Sequence, residues 1–407
     1  MSDPAVEHPF KLSVLQADID NLNKKLDIAR LPDELDDAGW EYGVPLADVT
    51  RLLARWKSGF DWRKAEAEIN ELPQFTRDID VDGFGTLNIH YVHQQSAAQN
   101  AIPFLFIHGW PGHFLEVRKL LPLLTHASPD HPSFHVVAPS LPNFGFSEGP
   151  TKKGFNGTQY IEAGLVLNKL MLALGYKEYV VQGGDWGALL ARMLATTYGH
   201  ENVKAWHTNY PSVRRPPSFL QHPRQFFANL ITPYSHAERA GLERTRWLMA
   251  KGRGYFYQQS TMPQTLGYAL ADSPVGLLAW IYEKLVIWTD GYPWDDDEVL
   301  TWVSVYWFSR AGPAASLRIY FETVAAHQYD IPWSAVPCGL SFFPRELVVP
   351  PRTWARTIGN VVYESAHLSG GHFAAHEKPA ELAGDVRAMF GKGGPAYGVV
   401  SGRDGYD

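Results

Sequence analysis

Gly183-Gly184-Asp185-Trp186-Gly187 sets a carboxylate among glycines at a point where the flanking sequence changes character. Before it, Tyr179-Val180-Val181-Gln182 is a short apolar run that predicts a strand, and after it Ala188 to Ala195 has the pattern of a helix. Strand, sharp turn and helix make the setting of a nucleophile elbow, whose central side chain stands clear of the backbone. The glycines allow the tight turn and let a substrate come close. A serine there would form an acyl ester, whereas an aspartate attacks an electrophilic carbon and forms an alkyl ester. That chemistry suits epoxides or alkyl halides rather than esters and peptides. The plainer use of such an aspartate is a helix N-cap.

An alkyl ester must be hydrolysed, which needs a base for water and an acid to orient that base. Elbow enzymes carry these in the chain order nucleophile, acid, histidine. Gly370-Gly371-His372-Phe373 follows the last predicted strand and exposes an imidazole in a glycine setting, which nominates His372. Phe343-Pro344-Arg345-Glu346 follows the preceding strand and nominates Glu346. His367 and Glu364 are local competitors, the first without the glycine setting and the second less well placed. All three favoured positions fall at the C-terminal ends of strands, where open α/β sheets bind ligands. His108-Gly109-Trp110-Pro111-Gly112 follows another apolar strand and exposes backbone amides. With the residue after the nucleophile, it nominates the Trp110 and Trp186 amides as an oxyanion hole, and leaves His108 as a turn residue. An epoxide also needs a proton donor for its leaving oxygen, and a phenol serves. Spacing does not choose among Tyr234, Tyr255, Tyr257, Tyr268, Tyr282, Tyr306 and Tyr320.

The elements that must position these residues fall into distinct regions. To about residue 95 the chain is charged and helical in pattern, with Leu12, Leu15, Ile19, Leu22 and Leu26 at helical spacing. A second helix runs from Pro45 through Trp56, and the stretches Phe75–Ile79 and Leu87–His93 alternate like a hairpin around Asp82-Gly83. From 101 to 210, apolar strands (Pro103–Ile107, Phe134–Ala138, Val180-Val181) alternate with helices in βαβ fashion. Prolines 211, 216, 217, 223 and 233 then open a helix-rich insertion rich in aromatic residues, which suggests an aromatic-lined cavity. Strands return at Cys338–Phe343 and Asn360–Glu364. The glycine-rich tail after 391 reads as weakly ordered.

Composition excludes several function classes. The chain has 407 residues, a net charge of −7 and 19% charged residues, which argues against nucleic acid or an anionic membrane surface as partner. One cysteine, Cys338, allows no disulfide framework within a chain and reads as a buried core thiol. Met1-Ser2-Asp3-Pro4 has no basic region followed by an apolar stretch, so no signal peptide is expected, and no run reaches the ~20 apolar residues of a spanning helix. A cytoplasmic protein without a membrane anchor is expected.

Taken together, the sequence resembles an epoxide hydrolase of the microsomal type within the α/β-hydrolase superfamily. Arg30-Leu31-Pro32-Asp33-Glu34, Gly39-Trp40-Glu41-Tyr42-Gly43, Trp62-Arg63, His108–Gly112, Gly183–Gly187, Asp272–Leu277 and Gly370–Ala375 carry the resemblance in order, over most of the chain. It implies an α/β-hydrolase fold with a mostly parallel central sheet, a helical lid insertion and an N-terminal extension wrapping the core. The expected divisions are an extension at 1–100, core halves at 101–211 and 329–392, a lid at 212–328 and a tail at 393–407. The resemblance implies Asp185 as nucleophile, His372 as base and Glu346 as its partner. It matches Tyr255 and Tyr320 to the two lid tyrosines that donate protons, with Tyr257 as the fallback for Tyr255. No cofactor or metal is expected, the partners being a small epoxide and water. Mammalian microsomal members carry an N-terminal membrane anchor, and this chain is expected to be without one. It therefore looks more like the soluble fungal and bacterial relatives, some of which are homodimers. A haloalkane dehalogenase shares the aspartate elbow, and a non-catalytic ligand-binding relative shares the fold; these are the alternatives.

Overall fold

The run Pro103-Phe104-Leu105-Phe106-Ile107 has no polar face, so a sheet can hold it only where both sides are covered. In the computed structural model of the chain it forms a fully buried strand at the centre of a sheet with nine strands among the described residues. The structure describes residues 7–157, 160, 166–327 and 331–407. The start of the chain, Met1 to Pro4, and the division expected at 328–329 lie outside the described residues.

The strands are β1 (His8–Pro9), β2 (Gln74–Val81), β3 (Gly85–Gln94), β4 (Ile102–Ile107), β5 (Phe134–Pro139), β6 (Tyr179–Gly183), β7 (Val203–Thr208), β8 (Ser334–Phe342) and β9 (Gly359–Ala366). Their spatial order is β1-β2-β3-β5-β4-β6-β7-β8-β9. From β5 to β9 the pairing is parallel, and β1, β2 and β3 add antiparallel to the β5 side. The N-terminal extension thus extends the sheet itself as well as covering it. The expected hairpin is β2 and β3, in register from Gln74 opposite Val92 to Val81 opposite Gly85.

Ahead of that hairpin come α1 (Gln16–Asp27), α2 (Leu46–Ser58) and α3 (Trp62–Ile69). The expected first helix is corrected at its start, because Leu12 and Leu15 precede it. Leu12 is buried and trades two hydrogen bonds with the Asn70 side chain, as a strand neighbour would, whereas Leu15 is exposed. Among the helices on the sheet are α4 (Val166–Ala173) and α5 (Asp185–Tyr198), the latter following β6. Between β7 and β8 lie α6 (Pro223–Ile231), α7 (His236–Trp247), α8 (Gly254–Thr261), α9 (Pro263–Asp272), α10 (Pro274–Ile287), α11 (Asp296–Trp307) and α12 (Arg318–Ala325). Prolines stand in the first turn of α6, α9 and α10, where a missing N–H costs nothing. Exposed ion pairs tie the extension to this helical layer: Lys25 to Asp272 at 2.6 Å, Arg55 to Asp297 at 2.7 Å, and Arg51 to Asp296. They fix orientation more than stability.

A last helix, α13 (Pro379–Phe390), packs behind β8. The tail beyond it corrects the expectation of weak order. Its glycines serve turns, since Gly393, Gly398, Gly402 and Gly405 all have positive φ, and Ala396, Val400 and Tyr406 are buried. Gly405 donates to the Asn100 carbonyl at 2.8 Å and its own carbonyl accepts from the Ser133 amide at 2.8 Å. Those partners lie just ahead of β4 and β5, so the tail closes the N-terminal edge of the parallel sheet. No helix among the described residues is long and apolar enough to cross a membrane.

Candidate active site

At the opposite edge, the ends of five parallel strands deliver the polar side chains. Asp185 follows β6 as the first residue of α5, with φ of +49°. A non-glycine residue in that left-handed region costs of order 1–3 kcal/mol and persists only where its surroundings impose it. Here they do. Gly187 lies so close to the Ile107 carbonyl that any Cβ would overlap it, and a Cβ on Gly109 would overlap Asp185 itself. The N-cap of α5 is Gly184 and has no side-chain cap, so Asp185 does not cap its helix. Its Oδ1 instead accepts from the Trp110 amide at 2.8 Å.

Two other strands bring the acid and the imidazole. Glu346 comes after β8 and His372 after β9, and Nδ1 of His372 meets Glu346 Oε1 at 2.5 Å. On the other side of the ring, Nε2 stands 3.4 Å from Asp185 Oδ2. Glu346 Oε1 also accepts from the Leu347 amide at 2.5 Å, which fixes its carboxyl plane. Burial would push the His372 imidazole down, but the Glu346 and Asp185 carboxylates outweigh it and hold the ring well above its ordinary value. The competitors go elsewhere. His367 points Nε2 at Asp385, 2.7 Å away, and stacks on Phe343. Glu364 is ion-paired with Arg356 at 2.6 Å. His108 holds a turn, its Nε2 accepting from the Leu141 amide at 3.1 Å.

The tyrosines separate cleanly. Tyr255 on α8 stacks on Trp110 with centroids 5.3 Å apart, and Tyr320 on α12 stands edge-on to the Trp110 and Trp186 rings at 5.7 and 4.8 Å. The two phenol rings are 6.0 Å apart. Burial, then the nearby Asp185 carboxylate, pushes the Tyr255 hydroxyl well above its ordinary value. Tyr257, by contrast, is 55% exposed, and Tyr268 is exposed too. Tyr306 spends its hydroxyl on the Gly112 carbonyl at 2.6 Å, Tyr234 bonds Asn229, and Tyr282 meets Arg51. Trp186 is the second residue of α5, in the first turn beside Asp185.

Three further residues belong to the site and are absent from the sequence-based selection. Trp288, at the end of α10, accepts the His372 amide at 2.8 Å and lies edge-on to its ring. Asn209 directly follows β7 and bonds Gln182 at 2.9 Å beside the elbow. Glu116 lies in the turn after β4 and lines the same cavity as Asp185 and His372. Strand-end position flags Asn209 once β7 is recognised, while Glu116 and Trp288 carry no local signal.

A parallel sheet with a carboxylate elbow after β6, acid and histidine after the last two strands, and a helical layer over that edge defines an α/β-hydrolase. Comparison with known proteins agrees: the family described as alpha/beta hydrolase fold matches residues 102–231, and that described as Epoxide hydrolase N terminus matches residues 7–117. A Stigmatella aurantiaca protein is 40% identical over 392 residues, which cover 94% of this chain and 84% of that one. Epoxide hydrolase 1 of Sus scrofa is 35% identical, covering 94% of this chain and 88% of its own. The Aspergillus niger epoxide hydrolase structure matches with a TM-score of 0.81 and 34% identity over 94% of this chain and 96% of that one. This chain belongs to the epoxide hydrolase family.

Proposed function

We propose that the chain converts epoxides to vicinal diols through an alkyl ester on Asp185. The observation that carries this reading is the placement of the Asp185 carboxylate, with one oxygen on the Trp110 amide and the other facing an imidazole that Glu346 holds. Oδ2 attacks a ring carbon while the ring C–O bond breaks, and Tyr255 or Tyr320 gives the leaving oxygen a proton. A phenol kept protonated by burial is a donor across the neutral range. Oδ1 becomes the ester carbonyl.

Esterification removes the negative charge on Asp185, and with it one of the two supports that hold a proton on His372. That proton passes to the phenolate left by the first step, and the neutral imidazole can then act as base. It takes a proton from water as the water oxygen bonds to Cγ, and the Trp110 and Trp186 amides stabilise the charge on Oδ1. The Cγ–Oδ2 bond breaks, Oδ2 leaves in the diol with the proton that His372 took from water, and the proton left on the new carboxyl returns to the imidazole, which restores the starting state. Two phenols packed on the Trp110 and Trp186 rings that flank the nucleophile favour a ring oxygen over a halide as the leaving group.

A single turnover in ¹⁸O-water with enzyme in excess tests the route. The first diol is expected to be free of label, with ¹⁸O found in the peptide that contains Asp185. Label in the first diol and none in Asp185 would mean direct attack by water.

A further inference from the structure

Glu116 has no part in the steps above, yet it is a buried carboxyl beside the nucleophile. A short 3₁₀ turn, Phe114–Val117, brings it back over the Trp110 loop. Its Oε1 lies so close to Gly112 that a Cβ on that glycine would overlap it, so the carboxyl fills the place of a side chain at 112. The turn beneath is pinned by two lid side chains: Trp302 Nε1 donates to the Pro111 carbonyl at 2.7 Å, and Tyr306 to that of Gly112.

Between Glu116, Asp185 and His372 lies a cavity of about 10 Å³, also lined by Gly109, Gly184 and Asn209. That is room for about one water molecule, and a buried water needs two to four polar partners, which these side chains supply. Neither Tyr255 nor Tyr320 lines it, so it is separate from the face on which the ring oxygen is protonated. Burial raises the Glu116 carboxyl to about 8, with the His372 and Asp185 charges as smaller influences of opposite sign. At neutral pH it therefore keeps its proton, and can both accept and donate a hydrogen bond.

We infer that this cavity seats the water that hydrolyses the Asp185 ester, and that Glu116 is the positioning residue that holds it opposite His372 Nε2. The inference rests on the ester route proposed above. One O–H of the water points to Nε2, which takes that proton as the oxygen bonds to Cγ of Asp185. The other O–H is held by the Glu116 carbonyl oxygen and stays with the new carboxyl until the alkyl oxygen departs.

Rapid-quench single turnover of the full chain with styrene oxide, read by intact-protein mass, separates ester formation from ester loss. In Glu116→Leu we expect ester formation within about threefold of the parent and ester loss slowed about 100-fold, the scale of a 1 Å misplacement. Glu116→Gln, which can still accept and donate, should restore ester loss to within about tenfold of the parent. Gly112→Ala, whose Cβ displaces the carboxyl while keeping Glu116, should reproduce the leucine defect and serves if Glu116→Leu does not fold. Ester loss unchanged in both displacing variants overturns the inference, as does an equal fall in both steps or a glutamine as impaired as leucine. If the parent itself forms no ester, the covalent route fails first.

Discussion

The sharpest test of the His372–Glu346 pair is Glu346→Gln. The two side chains meet at 2.5 Å and are each 2% exposed, so no solvent replaces the lost charge. Truncating one partner of a buried, hydrogen-bonded charge pair costs about 2–5 kcal/mol, or roughly 30- to 5,000-fold in rate at about 1.36 kcal/mol per decade. Glutamine keeps an acceptor oxygen and much of the geometry, so a fall of about 100-fold is expected, near the lower end of that range. It should appear in ester hydrolysis alone, because Asp185 needs no base to attack. The sign of the pH effect follows from the charges. Glu346 is the strongest influence that raises the imidazole, so its removal lowers the pH at which His372 loses its proton. The acid limb of the hydrolysis rate should move to lower pH even as the plateau drops. Rapid-quench mass measurement of the alkyl-enzyme over a pH series reads both. If ester loss in Glu346→Gln stays within about threefold of the parent and its acid limb does not move, Glu346 does not act on His372 and the reasoning is refuted.

Tyr255→Phe and Tyr320→Phe should each slow ester formation about 100-fold, the cost of removing one donor from a developing oxyanion, and leave ester loss little changed; an equal effect on both steps in the same mass assay contradicts that role. Gly109→Ala forces a methyl group against Asp185, so ester formation should fall by at least about 100-fold. Parent-like turnover there means that the elbow has freedom not visible in its contacts. Tyr406→Ala should destabilise by about 2–4 kcal/mol and lower Tm by several degrees with little change in turnover below the transition; calorimetry showing an unchanged Tm would falsify the packing assigned to the tail.

The parts of the site that were legible in sequence are those whose chemistry is local. An aspartate among glycines between strand and helix, a histidine after two glycines and a glutamate after an apolar strand each carry their setting with them, and the structure puts all three within reach of one another. Apolar runs buried on both faces, such as Phe104–Ile107, were equally plain. β7 was harder, because Val203-Lys204-Ala205-Trp206-His207-Thr208 mixes polar and apolar residues and buries His207 in a hydrogen bond with Ser341. Asn209 was lost with it. Glu116 and Trp288 depend on which loop folds over which, so tertiary structure alone reveals them. The tail misled because its composition is that of a linker; its glycines turn out to be turn residues between a few buried anchors. Among the tyrosines, composition left seven candidates open, and exposure and ring contacts divide them.

The docking of the tail has a practical side. Gly405 is hydrogen-bonded beside Asn100 and Ser133, at the edge of the parallel sheet where its strands begin, while Asp185, Glu346 and His372 all follow strand ends. Asp407 is exposed just beyond that anchor. A tether attached after Asp407 would therefore leave the molecule on the face away from the cluster of Asp185, Glu346 and His372. On a bead or an electrode coating it would present those groups to the flowing solution, with no need to engineer the orientation.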